Sequence, residues 1–239
     1  MRVTALVVFL LTWLVFPASA PSQPAATVRA VLASARLPSV VDAPRSFVVR
    51  RITLAAKQTV AYPRGPVGMA LLLAGSLEIE SGADRRQLAK GEGSLIAPGS
   101  TLRATGADPA VLVHFALATT GELDRAIDAG SGNVVELFRT APLRDLQPGP
   151  YEFSLVRVTF PSRFPMNPPH RRSGAAMYYV LEGTGTFTSG GNTEKKPAGI
   201  VHFEPHDLVH QWANPGDVPL VLIQANISQE GVPAVIFLK

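Results

Sequence analysis

The sequence predicts an all-β chain folded as two similar β-barrels joined by a short, partly helical connection. Three observations carry that expectation. Twenty Gly and 21 Pro punctuate 239 residues, and long apolar runs with helical period are scarce, which disfavours bundles and coiled coils. Hydrophobic residues make up 46% and charged residues 17%, enough apolar material for a packed core and too little charge for disorder. The third observation is an internal repeat. Leu71-Leu72-Leu73-Ala74-Gly75-Ser76-Leu77 is echoed by Tyr179-Val180-Leu181-Glu182-Gly183-Thr184-Gly185, an offset of 108. The same offset carries Ser81-Gly82 onto Ser189-Gly190, Gly91 onto Gly199, and the apolar stretch 111–115 onto 219–223.

In chain order, residues 1–20 read as an export signal. Met1 and Arg2 precede an apolar run, 3–16, broken only by Thr4 and Thr12, and Ala18 and Ala20 suit a small-residue cleavage site. Pro21 would follow the cut, where its ring and missing N–H fit poorly, so an N-terminal membrane anchor stays open as the alternative. The run falls short of the ~20 residues that span a bilayer comfortably, and no stable membrane span is expected once the signal is removed. The expected location is exported, periplasmic or secreted. The chain has no Cys, which excludes disulfides, thiolate metal sites and a cysteine nucleophile. Its net charge of +4 is dispersed without a polybasic run, so no nucleic acid partner is expected.

Residues 21–120 form the expected first barrel, with β-rich runs at 47–54 and 76–80. Residues 121–150 are the expected connection, where Thr119-x-x-Glu122 before Leu123 resembles a capping box opening a short helix. Residues 151–239 form the expected second barrel, with strands at 153–160 and 219–226. Ser189-Gly190-Gly191-Asn192 is a hairpin turn, since no helix or Lys-Ser pair follows to make it a phosphate loop. No G-x-S-x-G elbow occurs, so a serine hydrolase has no support.

The second half resembles the cupin family, whose jelly-roll barrels carry two motifs, G-x5-H-x-H-x3,4-E-x6-G and G-x5-P-x-G-x2-H-x3-N. His170 and Gly183 fall on the first. Gly199, Pro205, His210 and Asn214 fall on the second, with Asp207 where its last glycine belongs. Together with the repeat, the resemblance implies a bicupin of two cupin-type jelly-roll barrels, the first degenerate.

In this family a metal is held by His residues at i and i+2 of one strand, which point the same way, with a further His and a carboxylate. Such ligands suit Mn, Fe, Ni, Cu or Zn. Here Arg172 stands at the second His and Ala176 at the Glu, and a guanidinium has only donors and stays protonated. His170 and His210 are therefore either a two-ligand metal remnant or a hydrogen-bonded pair. The resemblance implies a small-molecule pocket around His170, Arg172, Tyr178 and His210, with Arg172 favouring an anionic ligand. The rival reading is a metal-dependent dioxygenase or isomerase using His170, His210 and a substitute ligand. A third is a structural protein with both pockets packed shut. No catalytic residue is assigned.

His202 and Glu204 share one strand face, inward or outward, with exposure favoured by their polarity. His206 is expected in a turn, Trp212 in packing, and Tyr179 on the face opposite Tyr178. In the first half the corresponding places hold Tyr62, Arg64, Gly68 and Leu102, and His114 reads as a core histidine. The expected partners are a small-molecule ligand and, at most, a second copy in a homodimer.

Overall fold

The structure, a computed structural model, describes residues 26–37, 39, 43–123 and 133–238; the expected signal, 1–20, lies outside them. The first barrel contains β2 (Arg45–Leu54), β3 (Thr59–Ala61), β4 (Val67–Ala74), β5 (Leu77–Ser81), β6 (Asp84–Leu88), β7 (Gly93–Ile96), β8 (Thr101–Ala104) and β9 (Ala110–Thr119). The second contains β11 (Tyr151–Phe160), β12 (His170–Arg172), β13 (Ala175–Glu182), β14 (Thr184–Ser189), β15 (Asn192–Pro197), β16 (Val201–Glu204), β17 (His210–Ala213), β18 (Leu220–Gln229) and β19 (Val235–Phe237). Two further strands, β1 (Val28–Leu37) and β10 (Asn133–Arg139), flank these sets, and α1 (Thr120–Leu123) is a single helical turn. Glu122 reaches back to accept a 2.8 Å hydrogen bond from the Thr119 N–H, the contact a capping box makes.

Each barrel pairs a five-stranded sheet with a second sheet, of four strands in the first barrel and five in the second. The orders are β10-β2-β9-β4-β7 with β3-β8-β5-β6, and β1-β11-β18-β13-β16 with β15-β14-β17-β12-β19. The division expected from sequence differs from the one in space at both edges. β1, within 21–120, pairs with β11 of the second barrel, and β10, within 121–150, pairs with β2 of the first. Each barrel thus takes an edge strand from the stretch of chain that precedes the other.

The 108-residue register holds for β4 and β13, and for β7 and β16. It holds too for β5 and β14 and for β6 and β15. It slips in the last long strand: Leu72 opposes Leu112 where Val180 opposes Leu222, an offset of 110. Residues 111–115 therefore correspond to 221–225 and not to 219–223. Arg45 opposes Thr119 where Tyr151 opposes Gln229, an offset of 106 for the first. All three offsets are even, so every residue keeps its face. The loop between β16 and β17 absorbs the extra pair, since Ile79 opposes Leu102 where Phe187 opposes Trp212. Gly75 and Gly183 explain why the repeat is sharpest where it is. Both have positive φ, +74° and +78°, and a Cβ would come within 2.4 Å of Pro109 O and 2.6 Å of Pro219 O, so only glycine serves.

The β10-β2-β9-β4-β7 and β1-β11-β18-β13-β16 sheets pack face to face. Phe47, Met69, Val113 and Phe115 of the first meet Phe153, Leu155, Met177, Ile223 and Ile227 of the second in one core. Alternate residues point the other way into separate barrel interiors, around Ile52, Leu72 and Leu112 in the first and Val158, Tyr178, Trp212 and Leu222 in the second. Phe153→Ala, which empties a fully buried position against Phe47, should cost about 3–5 kcal/mol. Because that core joins both barrels, the whole chain should still unfold in one thermal transition at lower temperature. A first barrel that melts separately at its original temperature would contradict this packing.

Candidate functional site

Inward positions of the second barrel gather an unusual polar set. His170 and His210 oppose each other across β12 and β17, both buried, with ring centroids 4.2 Å apart. The Nδ1 atoms lie 2.9 Å from the carbonyls of Pro168 and Leu208 respectively. Arg172, two residues beyond His170, points inward with it and is 2% exposed. Its Nε donates at 2.7 Å to Oε2 of Glu204, and its Nη2 donates to the Tyr178 hydroxyl. The same Glu204 oxygen lies 3.0 Å from His210 Nε2, and Oε1 accepts from Trp212 Nε1 at 2.9 Å. Gln224 also donates to the Tyr178 oxygen and accepts at 3.0 Å from Arg29 Nη2.

Arg172, Tyr178, His170 and His210 therefore converge as the motifs imply. Glu204 is the residue that sequence reasoning left open. It sits directly across from Ala176 on the neighbouring strand, so a carboxylate enters the barrel from β16 instead of β13. His202 points inward as well, its ring 4.2 Å from that of Phe187. Exposure, the outcome favoured for these two by polarity, is set aside because Arg172 supplies Glu204 with a countercharge. Trp212 does more than pack, since its indole N–H holds Glu204. Gln224 was missed, although a polar residue within the apolar run of β18 is a signal that could have found it. Arg29 carried no readable signal, because it arrives on the exchanged strand β1. His206 stays outside the barrel, 3.5 Å from Asp207. Asp207 takes φ +60° where the family motif has glycine, and Asn214 ties the following loop by donating to the carbonyls of Pro161 and Val218, both at 2.8 Å.

The first barrel has no such network. Tyr62 and His114 pair at 3.0 Å, and Gly68 leaves them room, since a Cβ there would lie 2.3 Å from His114 Nε2 and 2.4 Å from the Tyr62 hydroxyl. Leu102, expected from the 108-residue offset at the place of His210, falls by register at the place of Trp212 and is core; Ser100 stands where His210 does.

Burial alone would raise the Glu204 carboxyl. Attraction to Arg172, with contacts from His210 and Trp212, reverses that and holds it at about 2. Burial pushes His170 and His202 down to about 4, and His114 to about 3, where repulsion from Arg50 adds to it.

The space left inside is small. A cavity of about 30 Å³ is lined by Arg29, Asn167, His170, Arg172, Tyr178 and Gln224 with apolar neighbours. A larger hollow of about 450 Å³ lies outside the barrel, between residues 138–146 and the β13–β16 surface, and touches none of these charges. Arg172 Nη1 is buried without a hydrogen-bond partner among the described residues. The donor set does not fit a metal. The guanidinium bonds the carboxylate a cation would need, and no group of three ligating side chains among the described residues is arranged to hold an ion.

The pKa directions give a pH prediction. Glu204 is depressed below its unfolded value, so its contribution to stability is present above about pH 4.5 and is lost as pH falls toward 2. The buried neutral histidines are also depressed, so their contribution is present above about 6.5 and is lost as pH falls through 4. Urea midpoints should fall continuously from pH 6.5 downward. Glu204→Gln, which strands Arg172, should cost about 3–5 kcal/mol at neutral pH and flatten the lower limb. A flat pH profile would contradict both. A second prediction tests the metal misfit. Because Glu204 already supplies a carboxylate, Arg172→His alone should yield a protein that retains a stoichiometric divalent transition metal after dialysis, read by elemental analysis. Failure to bind would mean that Arg172 is not what closes the site.

Residues 156–225 match the family model described as the cupin domain. No curated protein matches the chain. Among solved structures, AerE from Microcystis aeruginosa superposes with a TM-score of 0.54 at 13% identity, covering 87% of this chain and 99% of its own. Oxalate decarboxylase from Bacillus subtilis gives 0.56 at 13% identity, covering 86% and 74%. Salicylate 1,2-dioxygenase from Pseudaminobacter salicylatoxidans gives 0.53 at 11% identity, covering 77% and 71%. At these identities the likeness is one of fold.

Proposed function

Starting from a chain that has the bicupin fold, with a cupin domain over residues 156–225, we propose that it is an exported protein whose second barrel binds a small anion without a metal. The observation that carries this reading is Arg172 Nη1, buried and unpartnered beside the cavity. A buried N–H without an acceptor is costly, and a charged one more so. The Tyr178 oxygen accepts from both Arg172 and Gln224, so its own proton is also left to donate. Both Glu204 oxygens are already engaged. The wall thus offers donors in excess of acceptors, which is the chemistry of an anion site. His170 lines the pocket with His210 opposite it on β17, and their Nδ1 contacts to backbone carbonyls hold the rings in place.

A Mn(II) centre is named for oxalate decarboxylase, and the oxygenase reading would place a comparable ion at His170 and His210. The Arg172–Glu204 pair weighs against it. The deciding experiment uses the mature protein purified from the exported fraction, whose N-terminal sequence should begin near Pro21. Elemental analysis should find no stoichiometric metal, and anions should raise Tm saturably at constant ionic strength. That response should vanish in Arg172→Met combined with Glu204→Gln, which removes both buried charges together. Tight stoichiometric metal that is lost in His210→Ala would overturn the proposal in favour of the metal-dependent enzyme.

A further inference from the structure

We propose that the anion is a compact monoanion of a few heavy atoms and sits between the guanidinium groups of Arg172 and Arg29, so that strand β1 completes a site otherwise built by the second barrel. This rests on the anion-binding reading above and adds its ligand class and its second cation.

Size is the first argument. About 30 Å³ is roughly two to three times the ~10–15 Å³ that admits one water. A halide or a small carboxylate such as formate or acetate is of that order, whereas an aromatic carboxylate is not. Charge is the second. Arg29 and Arg172 both line the cavity, and the one carboxylate in the network, Glu204, is bound to Arg172 through Nε. Arg29 makes its hydrogen bond to neutral Gln224. Burial and then repulsion from Arg172 push Arg29 below the ordinary arginine range, so a negative charge between them relieves a conflict that a water would leave in place. Topology is the third argument. Arg29 stands in register with Val158 of β11, whose side chain belongs to the barrel interior, so the pairing of β1 aims Arg29 at the cavity.

The test is a set of titrations of the full chain in sodium gluconate at fixed ionic strength, read by thermal shift and calorimetry. Chloride, bromide, formate and acetate should each bind saturably with about one site per chain, while benzoate should bind at least ~10-fold more weakly. Arg29→Gln, whose replacement keeps an amide near Gln224, should weaken halide binding by ~10-fold or more, the scale of one charge-assisted hydrogen bond. Crystals grown in bromide should give an anomalous peak between Arg29 and Arg172. Benzoate binding as tightly as chloride would overturn the size argument and leave the anion-binding reading standing. Equal halide affinity in the wild type and Arg29→Gln would remove Arg29 from the site. A water in the cavity with no saturable response to any anion would end both proposals.

Discussion

The two facing five-stranded sheets press against each other, and the strands at their centres are left without a solvent face. Along β18, Ile223, Ala225 and Ile227 enter the core between barrels, while Leu222, Gln224 and Asn226 turn into their own barrel. Nothing on such a strand can change face without unpacking one core or the other, which is why the repeat tolerates only even shifts of register. The inward positions are therefore fixed absolutely, and any polar residue placed there must find its partners inside.

The second barrel meets that requirement with charge. Moving Arg172 and Glu204 into a dry interior costs several kcal/mol per ion, and the pair is tolerable because nearly every lone pair and proton is engaged: Trp212 and Arg172 on the carboxylate, Tyr178 on the guanidinium, Gln224 behind Tyr178. The exception, Nη1, sits beside the one small void. The first barrel answers the same geometry with Leu102, Ala70 and Leu72 around the Tyr62–His114 pair, a nearly apolar solution to the same fold. Function thus separates the two halves where architecture does not.

How much of this the sequence disclosed depends on whether a residue acts through local or distant partners. Gly75 and Gly183 are legible because a tight turn leaves no room for a side chain, and His170, Arg172 and Tyr178 follow from strand alternation. The barrels themselves follow from the repeat. β1 and β10 escape that reasoning because pairing across barrels leaves no trace in a linear pattern, and β1, mostly exposed on its outer residues, shows little alternation. Glu204 was half legible: its face was shared with His202, but the choice of inward or outward depends on Arg172, 32 residues away. Arg29 was illegible for the same reason as its strand.

The exchanged edges also set an order of events during synthesis. β1 leaves the ribosome first, yet its partner β11 begins 114 residues after β1 ends. At about 5–20 residues per second, that gap lasts on the order of ten seconds. Through that interval β1 offers an unsatisfied sheet edge bearing Val28 and Val31, with Arg29 and Arg36 as charged guards against mispairing. The first barrel likewise waits for β10. The chain therefore does not mature one barrel at a time, and a strand made early is among the last to be paired.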